Sequence, residues 1–236
     1  MEINSKLLVH EDKQLSGKLI VFEGIDGSGK STQFKLLTER LEKEGIPFRR
    51  LVFPRYSESS SAPLRAYLQG EYGKRPEDVN AYAASTLFFV DRFASYKTDW
   101  GDFYNNGGLI ICDRYTTSNA IHQGAKLPEA ELYAFFDWLY DFEFRLMELP
   151  KPDIVLYMDI DLEVCLAQMK ARQAATNTTG DIHETNVDYL RRCLLAGHAA
   201  SERLGWSRIR CLSPDGSMRS ISDIHEDIYD SLKGVL

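Results

Sequence analysis

The stretch "KLIVFEGIDGSGKST", Lys18 to Thr32, runs without a break from a continuous apolar run through a turn of three glycines into a segment with helical spacing. An apolar run of this kind is expected of a strand buried on both faces, and a strand that feeds a helix at once is the first half of a βα unit. Four further runs repeat the pattern: "FRRLVFP" (48–54), "GLIICDR" (108–114), "DIVLYMD" (153–159) and "SRIRCLS" (207–213). Helix-spaced segments lie between them, among them "KSTQFKLLTERLEKEG" up to Gly45, "PEDVNAYAASTLFFVDRFASYKTDW" and "EAELYAFFDWLYDFEFRLMEL", the last stopping ahead of Pro150 and Pro152. Strands alternating with helices predict an α/β domain with a mostly parallel sheet covered on both faces.

At 236 residues, 44% of them hydrophobic, the chain is long enough for one such domain and short for two. The division expected is an N-terminal extension over residues 1–16 and a single domain over 17–236, in which the polar, small-residue stretch "KARQAATNTTGDIHET" (170–185) forms a mobile loop. A net charge of −7 argues against nucleic acid or a membrane surface as partner, because such binding draws on clustered Lys and Arg. The opening "MEINSKLLVHEDKQLSG" has no apolar segment of signal-peptide length, and no apolar stretch reaches 18 residues. Cys112, Cys165, Cys193 and Cys211 form no C-x-x-C pair, so reduced structural thiols in a cytoplasmic protein are expected rather than a zinc site or a disulfide framework.

The glycine turn fits G-x-x-x-x-G-K-[ST] through Gly24, Gly29, Lys30 and Ser31, between a predicted strand and a predicted helix. The chemistry of that pattern is a phosphate cradle. Glycines let successive backbone N–H groups point at phosphate oxygens, the helix start adds its positive end, the lysine neutralises β/γ charge and the Ser31 hydroxyl faces Mg²⁺. Gly24, Ile25, Asp26, Gly27, Ser28, Gly29, Lys30, Ser31 and Thr32 are the expected contacts to ATP. Asp113, at the carboxyl end of the third apolar run, is placed to organise the metal's water shell beside the cradle, or else to cap the following helix.

Nucleotide binding does not by itself name a reaction. The chain lacks the N-K-x-D base-reading motif of a GTP-dependent switch, and its acidic balance disfavours a motor acting on nucleic acid. Three separated arginines point instead to a small kinase with a phosphorylated acceptor: Arg55 in "FPRY", Arg92 four residues after Phe88 in "FFVDRF", and Arg114 after Asp113.

The segments "FEGIDGSGKST", "FPR", "FFVDR", "DRYTTSNAIHQGAK", "PDIVLYMDID" and "ISDIHEDI" together resemble the thymidylate kinase family from about residue 18 to the C-terminus, "DRY" followed by "QGAK" being the most specific part. The resemblance implies a P-loop kinase fold with a five-stranded parallel sheet and a lid, a homodimer packed through its long helices, and transfer of the γ-phosphate of ATP to dTMP. By the same resemblance Asp26 orients the acceptor through its deoxyribose hydroxyl and Phe88 stacks on thymine. Arg92 meets the thymine O4, Gln123 accepts from N3–H, Arg55 and Arg114 bind the acceptor phosphate, and Ser118 joins the substrate contacts. Lys30, Asp113 and Asp26 then count as catalytic, with Ser31 and Asp113 at the metal.

The chain also departs from the family pattern. Gly27 stands where similar proteins often carry an arginine, so the catalytic cation is expected from the lid, Arg172 first and Lys170 second. Arg55 follows Pro54 directly, and His122 replaces an aromatic residue. Two rival readings remain at this stage: a deoxynucleoside kinase with Glu23 as general base, and an ATP-binding regulatory module of weakened activity.

Overall fold

The computed structural model describes residues 16–176 and 186–236, with side chains up to Ala171 in the first segment. Five parallel strands, β1 (Lys18–Glu23), β2 (Phe48–Val52), β3 (Leu109–Asp113), β4 (Ile154–Asp159) and β5 (Ser207–Arg210), form one sheet in the order β2-β3-β1-β4-β5. All five fall inside the apolar runs of the sequence. The central strand explains its own composition: Leu19, Ile20, Val21 and Phe22 are fully buried, with Val21 in register with Cys112 on one side and Val155 on the other. A strand covered on both faces has no position for an alternating polar residue. β2, at the edge, can leave Arg49, Arg50 and Val52 exposed.

The helices follow their local signals. Helix α1 (Lys30–Lys43) starts after Gly29, whose φ of 81° is the left-handed conformation a glycine adopts without a Cβ penalty. Next come α2 (Ala62–Leu68) and α3 (Ala81–Ser95), the latter capped by the Asn80 side chain, which accepts from the Ala83 N–H at 2.8 Å. α3 widens into a π-helical turn, Tyr96–Trp100, before α4 (Gly101–Asn105). Helices α5 (Thr117–His122) and α6 (Leu132–Tyr140) follow β3, and α6 runs into a second π-helical turn at Asp141–Leu146.

Helix α7 (Leu162–Thr176) enters the stretch expected to be a loop from residue 170. Residues 170–176 are helical, in keeping with the strong helix propensity of Lys, Ala, Arg and Gln. Residues 177–185 of the expected lid, residues 1–15 of the expected extension and the Arg172 side chain lie outside the described set. α8 (Val187–Leu204) stops at Gly205, with φ 71°, and α9 (Ile221–Leu232) is capped by Ser220.

No described helix is long and apolar enough to cross a membrane. The sheet order places β1 between β3 and β4, so the chain leaves β1 toward one edge and later returns to build the other. Ligands bind at the carboxyl ends of the strands beside such a reversal, and this is where Glu23, Asp113 and the glycine turn emerge.

Packing of α8 onto β4 is tight at Gly197, where an added Cβ would stand 2.4 Å from the Tyr157 hydroxyl oxygen. Tyr157 is fully buried and its ring has little room to withdraw. Gly197→Ala is expected to lower stability by about 1–3 kcal/mol through overpacking. Urea denaturation checks this, and an unchanged midpoint would show that the helix can shift at no cost.

Candidate active site

The glycine turn wraps the wall of a cleft of about 590 Å³ that is lined by Ile25 through Thr32 and by Gln168 and Met169 of α7. Gly24 and Gly27 hold φ of 151° and 81°. At Gly27 there is also no space: a Cβ would meet the Cys165 carbonyl oxygen at 2.5 Å and Met169 Cγ at 3.0 Å. The residue that departs from the arginine of similar proteins is therefore matched to the close approach of α7.

Lys30 lies almost buried at the start of α1, its Nζ donating to Asp113 Oδ1 at 2.7 Å. Burial and the nearby Arg114 guanidinium pull its ammonium below the usual lysine range, and the Asp113 and Asp26 carboxylates oppose them. Ser31 Oγ lies 3.5 Å from the other Asp113 oxygen. A hydroxyl and a carboxylate side by side are hard oxygen donors, which suits Mg²⁺, an ion that keeps several of its waters. Among the described residues no group of three or more His, Cys, Asp or Glu side chains could hold a metal alone.

A second cleft, about 660 Å³, opens beyond Asp26, which lines both. Its walls include Phe88, Arg92, Arg114, Ser118, His122 and Gln123. Arg114 leaves the end of β3 with φ 66°, anchored by its N–H on the Phe22 carbonyl at 3.1 Å. From there its Nη2 reaches Asp26 Oδ1 at 2.6 Å and its Nη1 lies 2.9 Å from His122 Nε2. Because a guanidinium only donates, that contact makes His122 Nε2 an acceptor. Burial disfavours the Arg114 charge, but Asp26, Glu23 and Asp113 surround it and keep it protonated. The buried Gln123 amide has neither its nitrogen nor its oxygen paired.

Comparison with known proteins matches residues 22–203 to the thymidylate kinase family model. The chain belongs to the thymidylate kinase family. It is 34% identical to the thymidylate kinase of Mycobacterium tuberculosis over 178 residues, covering 74% of this chain and 81% of that one. It is 29% identical to that of Ruegeria pomeroyi across 92% of this chain and 97% of the relative. A solved thymidylate kinase from Candida albicans shares the fold at 22% identity, with a TM-score of 0.67 and cover of 93% and 92%. Sheet order, phosphate turn and these neighbours agree on a P-loop kinase fold.

Among the residues this family resemblance singles out, Asp26, Phe88, Arg92, Arg114, Ser118 and Gln123 line the second cleft, while Gly27 through Thr32 line the first. Gly24 stands one residue outside that lining, where its bare Cα admits the Ser28 hydroxyl. Arg55 does not line either cleft. Its backbone N–H donates to Asp91 Oδ2 at 2.8 Å and its Nε to Oδ1 at 3.2 Å, so it is turned to α3, while Pro54 and Tyr56 on either side face the cleft. The Phe53–Pro54 peptide is cis. Phe88 is half-buried and meets the edge of Tyr67 at 6.2 Å, leaving it both a packing role and a place on the cleft wall.

Glu23 is fully buried behind the turn, accepting from the Tyr115 N–H at 3.2 Å, from the Thr117 hydroxyl at 2.6 Å and from Ser118 at 2.9 Å. Burial raises its carboxyl above the usual range, against the lowering influence of Arg114. It does not line the cleft, so it is not placed to take a proton from a sugar hydroxyl there, as the deoxynucleoside kinase reading would require.

Three supporting residues were given no role by the sequence, although Asp91 and Lys126 stand inside its motifs. Asp91 fixes Arg55, Glu143 fixes Arg92, and Lys126 donates to the Tyr67 hydroxyl at 2.9 Å and the Val79 carbonyl at 2.8 Å. Glu143 did leave a signal: it extends the apolar stripe Leu132, Phe135, Phe136, Leu139 by four residues, an acid where a core side chain is due.

Burial pushes Lys126 down to about 8 from an ordinary 10.5. Below about pH 8 both folded and unfolded chains hold this proton; between there and 10.5 the unfolded chain binds more, so the burial penalty is relieved as pH rises. The stability of the wild type relative to Lys126→Met should therefore increase from about pH 8 to about pH 10. Denaturant melts of both proteins across that window test it, and a flat difference would place the Lys126 titration elsewhere.

Proposed function

We propose that this protein transfers the γ-phosphate of ATP to dTMP, with Mg²⁺ at the donor phosphates. The observation that carries the reading is the Gln123 amide, buried and unpaired on the wall of the cleft next to the phosphate turn. An unpaired buried amide costs about 1–3 kcal/mol, which a ligand recovers by pairing it. Its oxygen accepts and its nitrogen donates, which matches the adjacent N3–H and carbonyl oxygen of thymine. Phe88 offers a ring for stacking, Arg92 a donor for O4, and Arg114 with Ser118 contacts for the acceptor phosphate. Arg55 reaches that phosphate in this reading by exchanging the Asp91 carboxylate for a phosphate oxygen.

On the donor side, backbone N–H groups of the turn and Lys30 hold the β- and γ-phosphates. Lys30 keeps two of its three N–H donors for them while the third stays on Asp113. Ser31 and Asp113 would hold Mg²⁺ or its waters, and the ion would supply positive charge to offset that of the donor phosphates. Asp26 lies on the wall common to both clefts, where one carboxylate can orient the acceptor sugar while keeping Arg114 aimed at the transferring group. With Gly27 at the turn, a further cation is assigned to α7 and the lid, Arg172 ahead of Lys170. A guanidinium can contact two phosphate oxygens at once.

A homodimer through α3 and α6 belongs to the same reading. Val90 on α3 is 46% exposed and Leu146 on the π turn after α6 is 54% exposed, and the Phe89 and Phe142 rings meet between these two elements with centroids 5.0 Å apart. The four described cysteines are unpaired and buried, which suits a cytoplasmic location.

An ADP-release assay with dTMP, dUMP, dTDP, thymidine and the other monophosphates tests the reading. Turnover on thymidine alone would make the chain a nucleoside kinase, and turnover on none would leave a binding module. Lys30→Ala should reduce turnover at least ~100-fold in a folded protein, since positioned charge is most of what such enzymes supply. Phe88→Ala should raise the KM for dTMP about 10-fold with little change for ATP, by loss of one stacking face. Equal shifts in both constants would return Phe88 to a packing role.

A further inference from the structure

Arg92 is 2% exposed, and its guanidinium is held from behind. Nε donates to Glu143 Oε2 at 2.9 Å and Nη2 donates to Oε1, which fixes the plane of the group by two parallel bonds. Glu143 is itself fully buried on the π-helical turn after α6, and it is held in place by the Thr116 hydroxyl at 2.5 Å and the Asn119 amide at 3.5 Å. Two of the three guanidinium nitrogens are thereby used on the side away from the cleft. Nη1 is left without a partner among the described residues, on a side chain that lines the cleft beside Gln123. A buried arginine paired at one edge only is an expensive way to fill a core, and replacing such a pair by apolar residues is often neutral or stabilising. The arrangement has a use if the remaining edge must stand in one direction.

Resting on the reading of this cleft as the acceptor site, we propose that Glu143 is a positioning residue for acceptor recognition. It locks Arg92 so that Nη1, a donor only, faces the nucleobase, and thereby favours a pyrimidine with a carbonyl oxygen at C4 over one with an amino group there. An amino group would bring donor against donor, and a guanidinium held by two bonds cannot turn away to relieve it. Thr116 and Asn119 extend the same support, tying the loop after β3 to the π turn.

The test measures steady-state constants for dTMP, dCMP and ATP on the wild type, Glu143→Gln and Thr116→Val, with thermal melts of each. Glu143→Gln is expected to raise the KM for dTMP about 10-fold, leave that for ATP within about twofold, and narrow the preference for dTMP over dCMP, because Arg92 is no longer held in one plane. Thr116→Val, which keeps the charge pair, should shift the same quantities by a smaller factor. Variants that melt earlier yet keep the wild-type KM and the wild-type preference would overturn the proposal and leave Glu143 a structural residue. If Glu143→Gln does not fold, Thr116→Val decides by the same two outcomes. If the wild type prefers another monophosphate, the dTMP reading fails separately. The KM comparison is then made on that substrate, where a shift confined to the acceptor supports the positioning role and no shift overturns it. A wild type that phosphorylates no monophosphate overturns both.

Discussion

The ion pair between Lys30 and Asp113, 2.7 Å long and nearly excluded from water, ties the first turn of α1 to the end of β3. It joins the two neighbouring strands at the centre of the sheet, β1 through its glycine turn and β3 through its last residue. The same solution recurs for the arginines: Arg114 is paired with Asp26, Arg92 with Glu143 and Arg55 with Asp91. Positive charge gathered in one region repels itself and resists burial. Carboxylates interleaved with the cations let the chain fold with these charges already in place.

These pairs are also how the secondary structure is stitched to the site. Asp91 and Arg92 are consecutive on α3, one reaching the loop after β2 and the other the π turn after α6. Helix α3 thus forms one side of the second cleft, which its Phe88 and Arg92 line. At the first cleft α7 packs against Gly27, bringing Gln168 and Met169 to its wall and leaving no volume for a side chain on the turn. The choice of glycine there and the approach of α7 are one feature seen from two elements.

Much of this was legible from residue order. The five apolar runs became the five strands, because burial on both faces admits few other compositions. The glycine turn was legible because a glycine curl between a strand and a helix depends on local backbone geometry alone. Arg55 was visible as a candidate cation, yet its direction was not, since the Asp91 carboxylate that holds it is 36 residues away. The loop expected from residue 170 was read from polarity, which an exposed helix shares, and α7 runs on to Thr176.

By itself, then, the sequence determined the parallel α/β class and the glycine turn with its lysine and hydroxyl, since each follows from local periodicity or from a short motif. The tertiary structure alone decided which carboxylate each cation meets, that Glu23 lies behind the turn and out of the cleft, and that the Gln123 amide stays unpaired. The physical reason is range. A strand, a turn or a cap is fixed by residues within a few positions, whereas the direction of a buried charge is fixed by whichever opposite charge packing brings to it, and for Arg92 that partner lies 51 residues along the chain.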